Sequence, residues 1–138
     1  MPAAPPVPHL FVYGSLRTGG LNPHAAFLHS VCRILGSATI PGRLFSNGTH
    51  FAALHELESN GRVIGEVLEL PPGRDAAILT SLDRYEGIGT GLSISQCYVR
   101  QCLAATLGDG TILSCWAWLW NLPVKGMKHL RHGDSLKA

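Results

Sequence analysis

Charge is scarce in this sequence: only 14% of its 138 residues are Asp, Glu, Lys or Arg, against about a quarter in a typical domain. The 11 basic and 9 acidic residues are scattered and leave a formal charge of +2. No run or stripe of Lys and Arg is present that would follow a phosphate backbone, so nucleic acid is not an expected partner. Long apolar stretches are missing too. The longest, such as Trp116 to Trp120, fall far short of the roughly 20 residues that cross a bilayer, and no membrane span is expected.

The four cysteines, Cys32, Cys97, Cys102 and Cys115, follow no C-x-x-C spacing and are too sparse for a disulfide scaffold, so they read as reduced, mostly buried thiols. Cys97 and Cys102, five apart on a strand, fall on opposite faces. The seven histidines match neither H-E-x-x-H nor a Cys/His zinc spacing, and no metal is expected. Residues 1–8 hold four prolines without a positive n-region or an apolar h-region. They read as a loose N-terminal arm rather than a signal peptide, and the expected location is the cytoplasm.

What is abundant is apolar, at 46% of residues, enough for one packed core in a chain of this length. His9 to Tyr13 is an apolar, aromatic run that stops at Gly14, as a buried strand entering a tight loop does. Asn22 and Pro23 supply an N-cap and a first-turn proline for a short helix through about His29. From Cys32 to Leu57, Pro41-Gly42 and Ser46-Asn47-Gly48 predict several short strands, and Asn60-Gly61 a hairpin turn into a strand over 62–70. Ala77, Ile78, Leu79 and Leu82 give the best helical spacing, over 74–85, ending at Glu86-Gly87.

Two long strands follow, over 96–107 and 111–121, joined by Gly108-Asp109-Gly110. Residues 123–138 are basic and lack apolar periodicity, and are expected to be a surface tail or cap on a domain spanning 9–122. About six strands and two helices, joined mostly by hairpins, give an α+β arrangement with a mixed or closed sheet.

Two segments could carry chemistry. In Leu82-Asp83-Arg84-Tyr85-Glu86-Gly87 a carboxylate sits between an apolar helix face and a glycine, where loss of solvent would raise its pKa toward that of a group able to accept and return a proton. In Tyr13-Gly14-Ser15-Leu16 a strand turns at glycine and exposes successive backbone N–H groups, suited to a carboxylate or a developing oxyanion, with the Ser15 hydroxyl beside them. Read locally, Glu86 is also compatible with an exposed carboxylate paired to Arg84 or to a lysine elsewhere, and the loop with an ordinary strand-to-loop turn. Asp83 reads as a cap or as a partner for a basic neighbour.

Taken in order, Phe11-Val12-Tyr13-Gly14-Ser15-Leu16-Arg17, Val63-Ile64-Gly65-Glu66-Val67, Leu82 to Gly87, Tyr98-Val99-Arg100, and Asp109-Gly110 with Ala117-Trp118 resemble the successive motifs of the γ-glutamylcyclotransferase-like (AIG2-like, BtrG-like) family. The resemblance implies a small mixed β-barrel-like sheet of about six strands, flanked by two or more helices. It implies cyclisation of a γ-glutamyl substrate to 5-oxoproline with release of an amine, without a cofactor. Glu86 takes the general acid/base role, and Gly14, Ser15 and Leu16 grip the glutamyl portion. Tyr13 starts the loop, and Tyr98 either lines the cavity with its phenol or is a sheet tyrosine with an exposed hydroxyl. The sequence departs from the family at Trp120, in place of a tyrosine, at Gly48-Thr49-His50-Phe51, and in the long stretch from Gly87 to Ser95. The first departure motivates a second reading, a non-catalytic small-ligand or protein-binding module on the same fold.

Overall fold

A computed structural model describes residues 7–14, 16–17, 23–48, 50–85 and 98–137. In chain order the elements are β1 (His9–Val12), α1 (Pro23–Val31), β2 (Arg33–Ser46), β3 (Phe51–His55), β4 (Arg62–Glu69), α2 (Asp75–Tyr85), β5 (Tyr98–Leu107), β6 (Ile112–Trp120), β7 (Lys128–Leu130) and a 3₁₀ turn (Ser135–Lys137). Strands β2, β4, β1, β6 and β5 pair in that order, and β5 returns to β2 through Ala38↔Leu107 and Thr39↔Thr106. The sheet therefore closes into a five-stranded barrel. All its pairings are antiparallel except β1 with β6, which meet in parallel at Leu10↔Trp116.

The β2 strand is one element of 14 residues, where Pro41-Gly42 predicted a break. Proline interrupts a strand by lacking an N–H, but here its carbonyl accepts the Glu56 N–H at 3.0 Å and Gly42 N–H donates to Gly61 O at 3.1 Å. The ladder passes through the dipeptide as the partner strand changes. Before it, β2 pairs with β4 as far as Pro41↔Arg62. After it, β2 pairs with β3 from Gly42↔His55 onward. A Cβ on Gly42 would lie 1.9 Å from the Leu54 carbonyl oxygen, so only glycine permits β3 to approach there. Asn60-Gly61 accordingly is no hairpin: β3 and β4 both pair with β2 rather than with each other.

The supposed C-terminal tail is also part of the fold. Lys128–Leu130 pairs with Leu44–Ser46 of β2, and Leu130 is 3% exposed within the barrel core. Three residues are too few for apolar periodicity to show. The two strands joined at Gly108-Asp109-Gly110 form the expected hairpin, closed by Leu107 N–H donating to Thr111 O at 2.8 Å and by Thr111 N–H donating to Asp109 Oδ1 at 2.9 Å. The Thr111 amide holds the Asp109 carboxyl below its ordinary range.

Side chains alternate between two cores, as the period of a strand requires. Phe11, Val63, Val67, Ala105, Ala117 and Leu119 fill the barrel. Leu10, Val12, Leu68 and Trp118 point outward, where α1 covers them with Ala25 and Leu28, and α2 with Ile78, Leu79 and Leu82. Strand β1 is thus buried on both faces, which is why it reads as an unbroken apolar run. No described helix is long and apolar enough to cross a membrane.

Of the described cysteines, Cys32 and Cys115 are buried and Cys102 is exposed. Burial pushes the Cys32 thiol up to about 11 and the Cys115 thiol up to about 12. Iodoacetamide at pH 8 is therefore expected to label Cys102 in the native protein and to spare Cys32 and Cys115. Rapid labelling of either buried thiol, read by peptide mass spectrometry, would contradict this packing. Gly42→Ala should lower stability by about 1–3 kcal/mol through the clash with Leu54, and an unchanged urea midpoint would show that β3 does not pack so closely.

Candidate active site

The loop that leaves β1 is fixed from three directions. Tyr13 is buried, and its hydroxyl donates to Trp118 O on β6 at 2.6 Å. Its own carbonyl accepts the Ser135 hydroxyl at 2.6 Å. Arg17 N–H donates to Gly14 O at 3.1 Å and closes a four-residue turn. His29, near the end of α1, donates from Nε2 to Leu16 O at 2.7 Å; a carbonyl can only accept, which assigns the proton to that nitrogen. The Leu16 side chain anchors the turn between α1 and α2, among Leu28 and Leu82.

These contacts engage the carbonyls of Tyr13, Gly14 and Leu16. Among the described residues, the N–H groups of Gly14 and Leu16 donate to no backbone carbonyl outside the strand ladders. A turn whose carbonyls are held keeps its N–H groups for other partners, an arrangement suited to an anion or an oxyanion. Ser15, the remaining member of the loop, lies outside the described residues.

The sequence reading missed the clamp behind this loop. Arg17 is 7% exposed, and its Nη1 lies 2.7 Å from Asp134 Oδ1, which also accepts the Leu136 N–H at 2.9 Å. Gly133, at φ +71°, gives its carbonyl to Ile64 N–H at 2.7 Å, and a Cβ there would stand 1.8 Å from Arg62 O. The C-terminal segment is thereby locked against β4, with Ser135 held beneath Tyr13. One sequence signal was available: Asp134 is the sole carboxylate in the basic stretch 123–138, and it follows a glycine.

Helix α2 docks through its last turn. Asp83 accepts the Trp118 indole N–H at 2.9 Å and pairs with Arg100 Nε at 3.0 Å, while Arg100 lies over the Trp116 ring at 4.7 Å. The expected basic neighbour of Asp83 is therefore Arg100 on β5. Because Trp118 also receives the Tyr13 hydroxyl, a continuous chain of bonds joins the end of α2 to the start of the loop. Glu86 follows Asp83 by three residues and lies outside the described residues.

Tyr98, at the start of β5, donates its hydroxyl to Phe51 O at 2.8 Å. Phe51 in turn faces the loop, since a Cβ on Gly14 would meet its ring at 3.5 Å. Across the hairpin Tyr98 pairs with Trp120, ring edge to face at 5.3 Å. His50 stands 5.9 Å from the Trp120 ring and 6.4 Å from the Tyr98 ring. Tyr13, Gly14, Leu16 and Tyr98 therefore meet at one end of the barrel. The phenol of Tyr98 bridges β5 to β3 there.

A closed mixed barrel with such a loop at its rim is the γ-glutamylcyclotransferase-like fold. Residues 10–136 match the family described as "Gamma-glutamyl cyclotransferase, AIG2-like", and the chain belongs to it. The γ-glutamylcyclotransferase family protein YtfP of Escherichia coli (strain K12) is 32% identical over 128 residues, covering 92% of this chain and 95% of that protein. The solution NMR structure of ytfP from Escherichia coli superposes with a TM-score of 0.62 at 30% identity, covering 93% of this chain and 96% of that chain. YkqA from Bacillus subtilis superposes with a TM-score of 0.65 at 24% identity over 91% of this chain, which spans 38% of YkqA; that likeness is one of fold.

Asp134→Ala would strand the Arg17 charge in the interior, which typically costs about 3–5 kcal/mol, whereas a double apolar replacement of Arg17 and Asp134 should cost much less. Chemical denaturation of the three proteins checks this. Equal midpoints for Asp134→Ala and the parent would show that the pair is not buried.

Proposed function

We propose that this chain is a γ-glutamylcyclotransferase-type enzyme that converts a γ-glutamyl amine or γ-glutamyl amino acid to 5-oxoproline and the free amine. The observation that carries this reading is the turn after β1, whose Tyr13, Gly14 and Leu16 carbonyls are engaged and whose Gly14 and Leu16 amides this reading assigns to the glutamyl portion. Ser15 completes the cradle for the glutamyl portion. Tyr13 positions the cradle from below, and Tyr98 forms the adjoining wall.

Glu86 moves the proton. As a carboxylate it takes one proton from the substrate α-ammonium, freeing the lone pair, and the α-nitrogen then attacks the γ-carbonyl carbon. The carbonyl oxygen gains negative charge, which backbone amides would stabilise. Protonated Glu86 returns the proton to the departing nitrogen as the γ-carbon–nitrogen bond breaks, the ring nitrogen's second proton passes to that amine by way of the same carboxylate, and a neutral five-membered lactam and an alkylammonium leave. The nucleophile and the electrophile belong to one molecule, so the site need only hold it folded. The bond that breaks is an amide and the ring that forms is an amide, so the chemistry calls for no redox partner and no cofactor.

Incubation of the purified protein with γ-glutamyl compounds differing in the amine should release 5-oxoproline from at least one of them. Glu86→Gln should lower that rate by about 10²–10⁴-fold, the usual contribution of general acid–base catalysis, with thermal unfolding unchanged. Release at the parental rate by a folded Gln variant would overturn the role of Glu86. Saturable binding of γ-glutamyl compounds without turnover would make the chain a binding module instead.

A further inference from the structure

We infer that the ring cluster of His50, Tyr98 and Trp120 is the subsite for the departing amine, and that it selects a γ-glutamyl substrate whose amine carries an aromatic or bulky apolar group. The inference rests on the proposed cyclotransferase reading and names the substrate class within it.

The barrel places this cluster beside the loop. Strands β1 and β6 meet in parallel at Leu10↔Trp116, and beyond β1 the Tyr13 hydroxyl reaches Trp118 O, two residues before Trp120. From the other side, Phe51 packs at Gly14 and its carbonyl holds the Tyr98 hydroxyl at 2.8 Å. Whatever extends from a glutamyl group seated on the Gly14 and Leu16 amides toward β5 and β6 therefore meets these rings.

Their chemistry decides what they accept. Tyr98 and Trp120 are half-buried and edge to face, and His50 is tilted against both at the solvent side. The exposed His50 ring and the half-buried Trp120 ring present ring surface to a further aromatic group at the 4.5–7 Å centroid spacing that ring pairs prefer. A charged amine portion finds no free partner among the described residues of β5 and β6, whose one charged side chain is Arg100. On the adjoining strand positions, the Arg100 guanidinium is already engaged by Asp83 at 3.0 Å and by the Trp116 ring at 4.7 Å. Aromatic contacts of this kind strengthen binding by roughly two- to tenfold each.

The test is a steady-state 5-oxoproline assay on γ-glutamylphenylalanine, γ-glutamylglycine and Nε-(γ-glutamyl)lysine with the parent, Trp120→Leu and Trp120→Phe. The parent should favour the phenylalanine compound about tenfold in kcat/KM, mainly through a lower KM. In Trp120→Leu the ratio should fall to near one, and Trp120→Phe should keep most of it, which separates loss of the ring from loss of the fold. Equal kcat/KM for the three compounds with the parent, or preference for the lysine compound, overturns the inference and leaves the cyclotransferase reading standing. No 5-oxoproline from any compound overturns both.

Discussion

Tyr13 is tied at both ends, and the geometry of the barrel rim depends on it. Its hydroxyl reaches Trp118 O across the single parallel junction of the barrel, and its carbonyl receives Ser135 from the far end of the chain. Parallel pairing at β1 and β6 is brief, one register pair, so the side-chain bridge does what a longer ladder would otherwise do. It also fixes where β1 stops and the turn begins. Each is a buried hydrogen bond, typically worth about 0.5–1.5 kcal/mol net, which gives this arrangement a stake in stability as well as in shape.

A second constraint acts through charge. Arg17 closes the turn with its backbone and carries a guanidinium into the interior, where Asp134 neutralises it. Buried pairs of this kind add little net stability but penalise any arrangement that separates the partners. The consequence here is geometric: the segment after β7 can settle only where Asp134 reaches Arg17, and that placement brings Ser135 to Tyr13. Chain ends 117 residues apart thus hold one loop.

Sequence pattern revealed much of this architecture, and its omissions share a cause. Strands β1, β4, β5 and β6 and helices α1 and α2 announce themselves through local periodicity and through glycine or proline at their ends. The continuity of β2 does not, because it depends on Glu56 and Gly61 supplying partners to Pro41-Gly42 from a distant loop. Likewise β7 is too short to show a period, and the burial of Arg17 is meaningful only once Asp134 is known to be beside it. Of the candidate site, the loop and Tyr98 were visible as motifs. The clamp was not, since Ser135 and His29 act on main-chain carbonyls and leave no pattern of their own.

In the proposed cyclotransferase the Gly14 and Leu16 amides are the groups that face the glutamyl anion. A titration of ¹⁵N-labelled protein with 5-oxoproline addresses it directly. Saturable downfield displacement of the Gly14 and Leu16 amide protons, exceeding that of amides within the β-ladders, is the predicted result. Saturable binding that leaves those two resonances in place would contradict it.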